Sequence, residues 1–350
     1  MRIPFFTCAA ALALCSQAAL AEDWRFAVSG DSRNCGDVVM PAIAHSAQEA
    51  KARFYWHLGD FRAMYVEDED LASISKPMQL PAYQTVAWDD FVAHQLAPFG
   101  NLPVFLAIGN HELVAPKTRN DYVAQFADWL DATVLRKQRL HDDASDHRVK
   151  PYYHWIEDGI DFITLDNASP DQFDDAQLKW IEALIARDSG DAQVRAMVVG
   201  MHEALPDSLA SSHSMNASPV GTVSGRRVYA GLVQFHKGSH KPVYVLASHS
   251  HFYMADVFNT EARRASGDVL PGWIVGTAGA VRYTLPAVTT GASAAKEHVY
   301  GYLLATVRGA AIQFEFKEFK TEEELRAATD AKFGAGIIHN CFVNNPPPKP

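Results

Sequence analysis

The sequence predicts a single α/β domain with a layered sheet core, and three observations predict it. Short, continuously apolar runs rich in β-branched, aromatic and aliphatic residues recur at 25–29, 54–58, 104–108, 162–165, 196–199 and 243–247. Runs of that length read as strands buried on both faces. Helix-like segments lie between them, the arrangement of α/β proteins. Later apolar runs at 273–275, 303–307 and 312–316 follow without intervening helices, and no internal repeat or linker divides the chain.

The first segment stands outside this fold. Arg2 precedes an apolar stretch over 3–14, and Ala19-Leu20-Ala21 offers a small-x-small cleavage signal before Glu22. This is the layout of a secretory signal peptide cleaved after Ala21, and the stretch is too short to span a bilayer. It implies a secreted or periplasmic product. No later run approaches the roughly 20 apolar residues of a membrane helix.

Among the helical segments, 121–140 reads as one helix, and 176–187 places Leu178, Ile181, Leu184 and Ile185 on one face. Residues 152–165 read as a hairpin turning at Asp158-Gly159. Thr321 and Glu324 form a capping box for a last helix ending near Gly334, and Pro346 to Pro348 begin an extended tail. The polar, Gly-rich and Ser-rich stretches at 66–95 and 205–240 read as surface insertions. His213, Arg226 and Arg227 in the second are candidates for a substrate rim, and His236 and His240 are expected to be solvent-exposed.

The formal net charge of the whole chain is −10, and losing Arg2 makes the mature chain more acidic still. Acidity gives no electrostatic help toward nucleic acid or an anionic membrane. A phosphate-bearing substrate would need a local positive centre. Of four cysteines, Cys8 and Cys15 leave with the leader, so Cys35 and Cys341 are expected to pair in an oxidising compartment.

The chemistry lies where strands end. The runs deliver Gly30-Asp31-Ser32-Arg33, Gly59-Asp60, Gly109-Asn110-His111-Glu112, Gly200-Met201-His202 and Ser248-His249-Ser250-His251. Ligands of open α/β sheets bind beyond the carboxyl ends of the strands. Carboxylate, amide oxygen and imidazole together suit iron, manganese or zinc. Each fragment alone reads as a turn or a solvated histidine; their ordered recurrence at successive strand ends reads as a metal site.

These five blocks, in this order, resemble those of the calcineurin-like metallophosphoesterases, which include purple acid phosphatases. The resemblance runs from about residue 24 to about 282. It implies a four-layer α/β/β/α sandwich over 22–320, with 321–350 as a C-terminal helix and tail. It further implies two metal ions: Asp60 bridging, Asp31 and His251 on the first, and Asn110, His202 and His249 on the second. A metal-held hydroxide would attack phosphorus in line, with His111 stabilising charge or protonating the leaving oxygen. Glu112 would orient its loop.

One position departs from that pattern. Many members carry Asp-x-His in the first block, whereas this chain has Arg33; purple acid phosphatases place a tyrosine three residues after the bridging aspartate, where this chain has Ala63. A guanidinium cannot readily ligate a metal, and its fork suits phosphate oxygens. Arg33 is therefore expected to bind substrate phosphate, with water, Tyr65 or substrate completing the first ion's shell. The resulting expectation is a secreted phosphoric ester hydrolase acting on small phosphate esters, a monoesterase before a diesterase or nucleotidase. The alternative from another class is a non-catalytic metal- or phosphate-binding protein.

Overall fold

The computed structural model describes residues 22–168, 172–210 and 213–344. The leader segment 1–21, Ser211 of the polar insertion and the proline-rich tail lie outside them. Among the described residues twelve strands form, most of those up to β7 separated by helices: β1 Trp24–Ser29, β2 Ala52–His57, β3 Val104–Leu106, β4 Tyr153–Glu157, β5 Ile160–Thr164, β6 Ala196–Gly200, β7 Val243–Ala247, β8 Tyr253–Ala255, β9 Gly272–Val275, β10 Ala294–Lys296, β11 Tyr300–Arg308 and β12 Ala311–Phe319.

They form two sheets, β12-β11-β1-β2-β3 and β10-β8-β9-β7-β6-β5-β4. The strands predicted to be buried on both faces, β1 to β3 and β5 to β7, pair in parallel within their sheets. The late helix-free strands β11 and β12 pair antiparallel and extend the first sheet beyond β1. The expected hairpin joins β4 to β5, and both turn residues, Asp158 and Gly159, take positive φ as a tight hairpin turn demands.

The sheets pack face to face over an aromatic layer. Phe26, Phe54 and Trp56 of one meet Trp155, Phe162 and Leu246 of the other. Phe105 stacks on Trp155 at 3.9 Å between centroids, and Phe26 meets Phe162 edge-on at 5.1 Å. Burying each such side chain contributes roughly 1.5–3 kcal/mol. Helix Gly36–Glu49 covers the outer face of the first sheet through Val39 and Ile43. Helices Asp175–Gly190 and Pro219–Ser239 cover the second through Leu178, Ile181, Val228 and Leu232. This is the four-layer α/β/β/α order that the resemblance implies.

Several elements differ from the sequence reading. The segment 121–140 is three short helices, Arg119–Gln125, Ala127–Leu130 and Thr133–Asp142. Phe126, fully buried against Phe61, Phe91 and Trp88, turns the chain between the first two, so tertiary packing overrides helical period. The stretch 205–240 is not peripheral, because most of it is the 21-residue helix Pro219–Ser239. Its glycines disguise it, since each costs about 1 kcal/mol of helix propensity. Gly225 is there for contact: a Cβ would lie 2.4 Å from Pro206 Cδ. Within 66–95, Tyr83, Trp88 and Phe91 join a buried cluster with Phe61, so that stretch too belongs to the core. The capping box at Thr321 forms, but its helix ends at Arg326, and Ala335–His339 is a separate turn. Cys35 and Cys341 are joined, with Cα atoms 5.8 Å apart. The C-terminal segment is thereby tied four residues downstream of Asp31.

Candidate active site

The ends of β1, β2, β3, β6 and β7 converge, and all eight residues singled out in the sequence meet there. The turns that deliver them are sharp. Asp31, Asp60 and His249 have φ of 59°, 61° and 61°, a left-handed conformation costly for residues bearing a Cβ and concentrated at functional sites. Their neighbours make room. Gly59 itself has φ of 93°, and a Cβ there would lie 2.6 Å from the Gly109 nitrogen. A Cβ on Gly109 would lie 2.3 Å from Asp60 Oδ1.

Four side chains point at one another around a single centre. His202 Nε2 lies 2.9 Å from Asn110 Oδ1, 3.0 Å from His249 Nδ1 and 3.3 Å from Asp60 Oδ1. His202 Nδ1 donates to the Leu58 carbonyl at 2.9 Å, which turns Nε2 inward. One carboxylate, one amide oxygen and two imidazoles within this span fit a divalent ion, and Asp60, His202 and His249 have ligand-like spacing. The electrostatics agree. Burial opposes charge on His202, but Asp60 and Asp31 hold its pKa up at about 10. Burial and the adjacent His202 push His249 down to about 3. A proton and a metal ion would thus compete for the same His202 lone pair.

The neighbouring half is arranged differently. His251 Nδ1 donates to the Val281 carbonyl at 2.6 Å, so its Nε2 is an acceptor, 3.2 Å from Asp31 Oδ1. Arg33 Nη2 donates to that Nε2 at 2.9 Å, and Arg33 Nη1 donates to Tyr65 Oη at 3.0 Å. Arg33 Nε stands 3.9 Å from Asp60 Oδ2. The arginine is 7% exposed; burial works against its charge, and Asp60, Tyr65 and Asp31 together hold its pKa above the usual value. An ion bound about 2.1 Å from His251 Nε2 would contact the guanidinium, so ion and guanidinium exclude one another as Arg33 lies. Two of the three guanidinium nitrogens are engaged, and Tyr65 hydrogen-bonds Arg33, the place where it was expected to complete a metal shell.

A profile of calcineurin-like phosphoesterases matches residues 25–253, well over half of the chain. The chain belongs to the calcineurin-like phosphoesterase family.

No curated protein matches it. Solved structures share its fold at low identity. A purple acid phosphatase from yellow lupin (Lupinus luteus) seeds is 17% identical with a TM-score of 0.57, over 85% of this chain and 52% of that one. The phosphoesterase chain thus spans about half the length of the lupin enzyme. A dimetal phosphatase from Danio rerio is 10% identical, TM-score 0.53, over 84% and 96% of the two chains. GAP50 of Plasmodium, described as the anchor in the inner membrane complex, is 11% identical, TM-score 0.53, over 85% of each.

Around this cluster, the loop holding Asp60 is organised by Glu112. Its carboxylate accepts from the amides of Asp60, Phe61 and Gly109 at 2.9, 2.9 and 2.7 Å. His111 donates from Nδ1 to the Ala63 carbonyl and has Nε2 3.6 Å from Asp60 Oδ2, leaving Nε2 toward the site. Of the polar insertion, His213 reaches the site, its ring 5.8 Å from His249. Arg226 and Arg227 pair with Asp207 and Glu182 instead. His236, on the exposed helix end, donates to or accepts from nothing at the site and contacts the Lys241 carbonyl.

Sequence reasoning missed Tyr283, whose ring stacks on His251 at 4.0 Å, and His57, buried and bonded to Ser32 Oγ at 3.0 Å. Tyr283 lies in no motif block, and His57 is the last residue of β2, inside the apolar run rather than in the block after it. A second cluster with ligand-like spacing, Asp37, Asp90 and His94, is bridged by the Arg62 guanidinium, which pairs with both aspartates. No described helix is long and apolar enough to cross a membrane.

Proposed function

We propose that the protein is a secreted, metal-dependent hydrolase of small phosphate esters, with monoesters preferred. The observation that carries the reading is the convergence of Asp60, Asn110, His202 and His249 on one point beside His111. A divalent ion at that point would supply Lewis-acid polarisation of a phosphoryl oxygen and acidify a water. The chain supplies the rest. Leu58 and Glu112 fix the orientation of His202 and of the Asp60 loop, and His111 Nε2 is free to exchange a proton with the leaving oxygen. Arg33 adds a second positive charge close by. Two separate cationic centres suit the dianion of a monoester better than the monoanion of a diester. Secretion is supported by the apolar leader with its cleavage signal and by the disulfide. The reading also takes the phosphoesterase domain to extend over 22–320, since β11 and β12 complete the first sheet beyond the matched region.

The test is hydrolysis of p-nitrophenyl phosphate and of its bis ester by metal-stripped protein titrated with manganese, zinc and iron. Activity should return with metal and favour the monoester, and His111→Ala should lower kcat by about 10²-fold. Metal binding without hydrolysis of either ester would turn the reading to a non-catalytic binding protein. Faster hydrolysis of the bis ester would turn it to a diesterase.

A further inference from the structure

The half of the site that faces Arg33 has its own logic, and it bears on how many ions the protein holds. Three acceptors meet there: Asp31 Oδ1, His251 Nε2 and Asp60 Oδ2. The two carboxylate oxygens are buried and have no hydrogen-bond donor, so the pocket calls for positive charge. Arg33 delivers it. Its Nη2 bonds the His251 lone pair, its Nε faces Asp60, and its Nη1 is anchored by Tyr65 Oη. Tyr283 closes the far side, stacked on His251 and interacting with the same guanidinium. The contacts that position the arginine come from three separate segments, the loop carrying Asp60 and Tyr65, the turn carrying His251 and the stretch carrying Tyr283, so it is held rather than resting there.

We infer that the Arg33 guanidinium takes the place of the first metal ion, so that the folded protein binds one ion per chain, at Asp60, Asn110, His202 and His249. Asp31 and His251 then serve as partners of Arg33 and as orienting groups. The His249 amide donates to Asp31 Oδ2 at 2.6 Å, which ties the arginine's pocket to the position of an ion ligand. The inference rests on the proposed metal-dependent reading only in needing an ion at the neighbouring set.

The test is the metal content of the full mature chain. Protein loaded with excess manganese and desalted is assayed by elemental mass spectrometry, and its electron paramagnetic resonance spectrum is recorded. Wild type should retain one ion per chain and give the six-line spectrum of an isolated manganese. Arg33→His, which restores an imidazole, should retain two with the broadened signal of a coupled pair, and Arg33→Lys, keeping the charge, should stay at one. Two coupled ions in the wild type would overturn the inference while leaving phosphate-ester hydrolysis intact. One ion with no hydrolysis would overturn the functional reading and leave this inference standing. No retained ion would overturn both. The wild-type measurement decides the case even if a variant fails to fold.

Discussion

Two buried acidic clusters lie within a few residues of each other in this chain, and they resolve their charge differently. Around Arg62, fully buried, gather Asp37, Asp68, Asp70 and Asp90. Arg62 bonds Asp37 Oδ1 at 2.5 Å and Asp70 Oδ1 at 2.9 Å, and His94 pairs with Asp90 at 2.7 Å. Burial and the neighbouring Asp37 push Asp70 well above the usual carboxylate range. The chain's own groups neutralise the cluster. At the strand edge the acceptors outnumber the donors: Asp60, Asn110, His202 and His249 face a common point with no cation of the chain between them, and only the adjoining pocket is filled, by Arg33. The same physical demand, that buried charge be compensated, is met internally in one cluster and left to an ion in half of the other. Where a chain completes its own network it gains rigidity; where it leaves ligand groups unmatched it gains a site.

The largest effect should come from breaking the self-sufficient cluster. Arg62→Met strands several buried carboxylates and should destabilise the fold by about 3–5 kcal/mol, read as a shift in the urea midpoint. A variant as stable as wild type would show that the cluster is not held by its arginine. At the strand edge the expected balance is reversed. Asp60→Asn should cost clearly less stability than Arg62→Met, since Arg33 keeps Asp31 as an acidic partner, yet lower hydrolysis by about 10³-fold and weaken metal retention, because it removes a charged ligand. Equal losses of stability in the two variants would erase the distinction.

A third cluster sharpens it through pH. His154 lies between Asp161 and Asp142, with Nδ1 2.8 Å from Asp161. Burial opposes its charge, but Asp161 and Asp142 push its pKa up to about 9. A histidine raised in the folded state stabilises fully below its unfolded value near 6.5, and that contribution fades as pH rises through about 9. His154→Asn should therefore cost about 3 kcal/mol at pH 6. The gap to wild type should close by pH 10 in denaturant titrations. A gap independent of pH would assign the role of His154 to packing.

How much was legible in the sequence follows from which forces act locally. The strands that carry the site were readable because each is a short run buried on both faces, and the residues after them were readable because glycine marks the sharp exits at Asp31, Asp60 and Asn110. Helices were less so. Pro41 lies inside the helix Gly36–Glu49 and four glycines lie inside Pro219–Ser239, each suppressing a local signal that packing against a sheet restores. Arg33 could be recognised as a departure, but not its orientation. The contacts with Tyr65 and His251 join residues 32 and 218 positions apart, and only the fold brings them to one place. Tyr283 carries no pattern at all; its role comes from stacking on His251 and from its interaction with Arg33.

The most direct test of the central claim, that the strand-edge cluster is an ion-dependent phosphoesterase site, combines two readings on one sample. Metal-stripped protein receives manganese in steps while bound ion and p-nitrophenyl phosphate turnover are measured together. The account predicts that turnover rises in proportion to ion bound and is absent at zero. Turnover that survives complete stripping, or full ion binding without turnover, would contradict it.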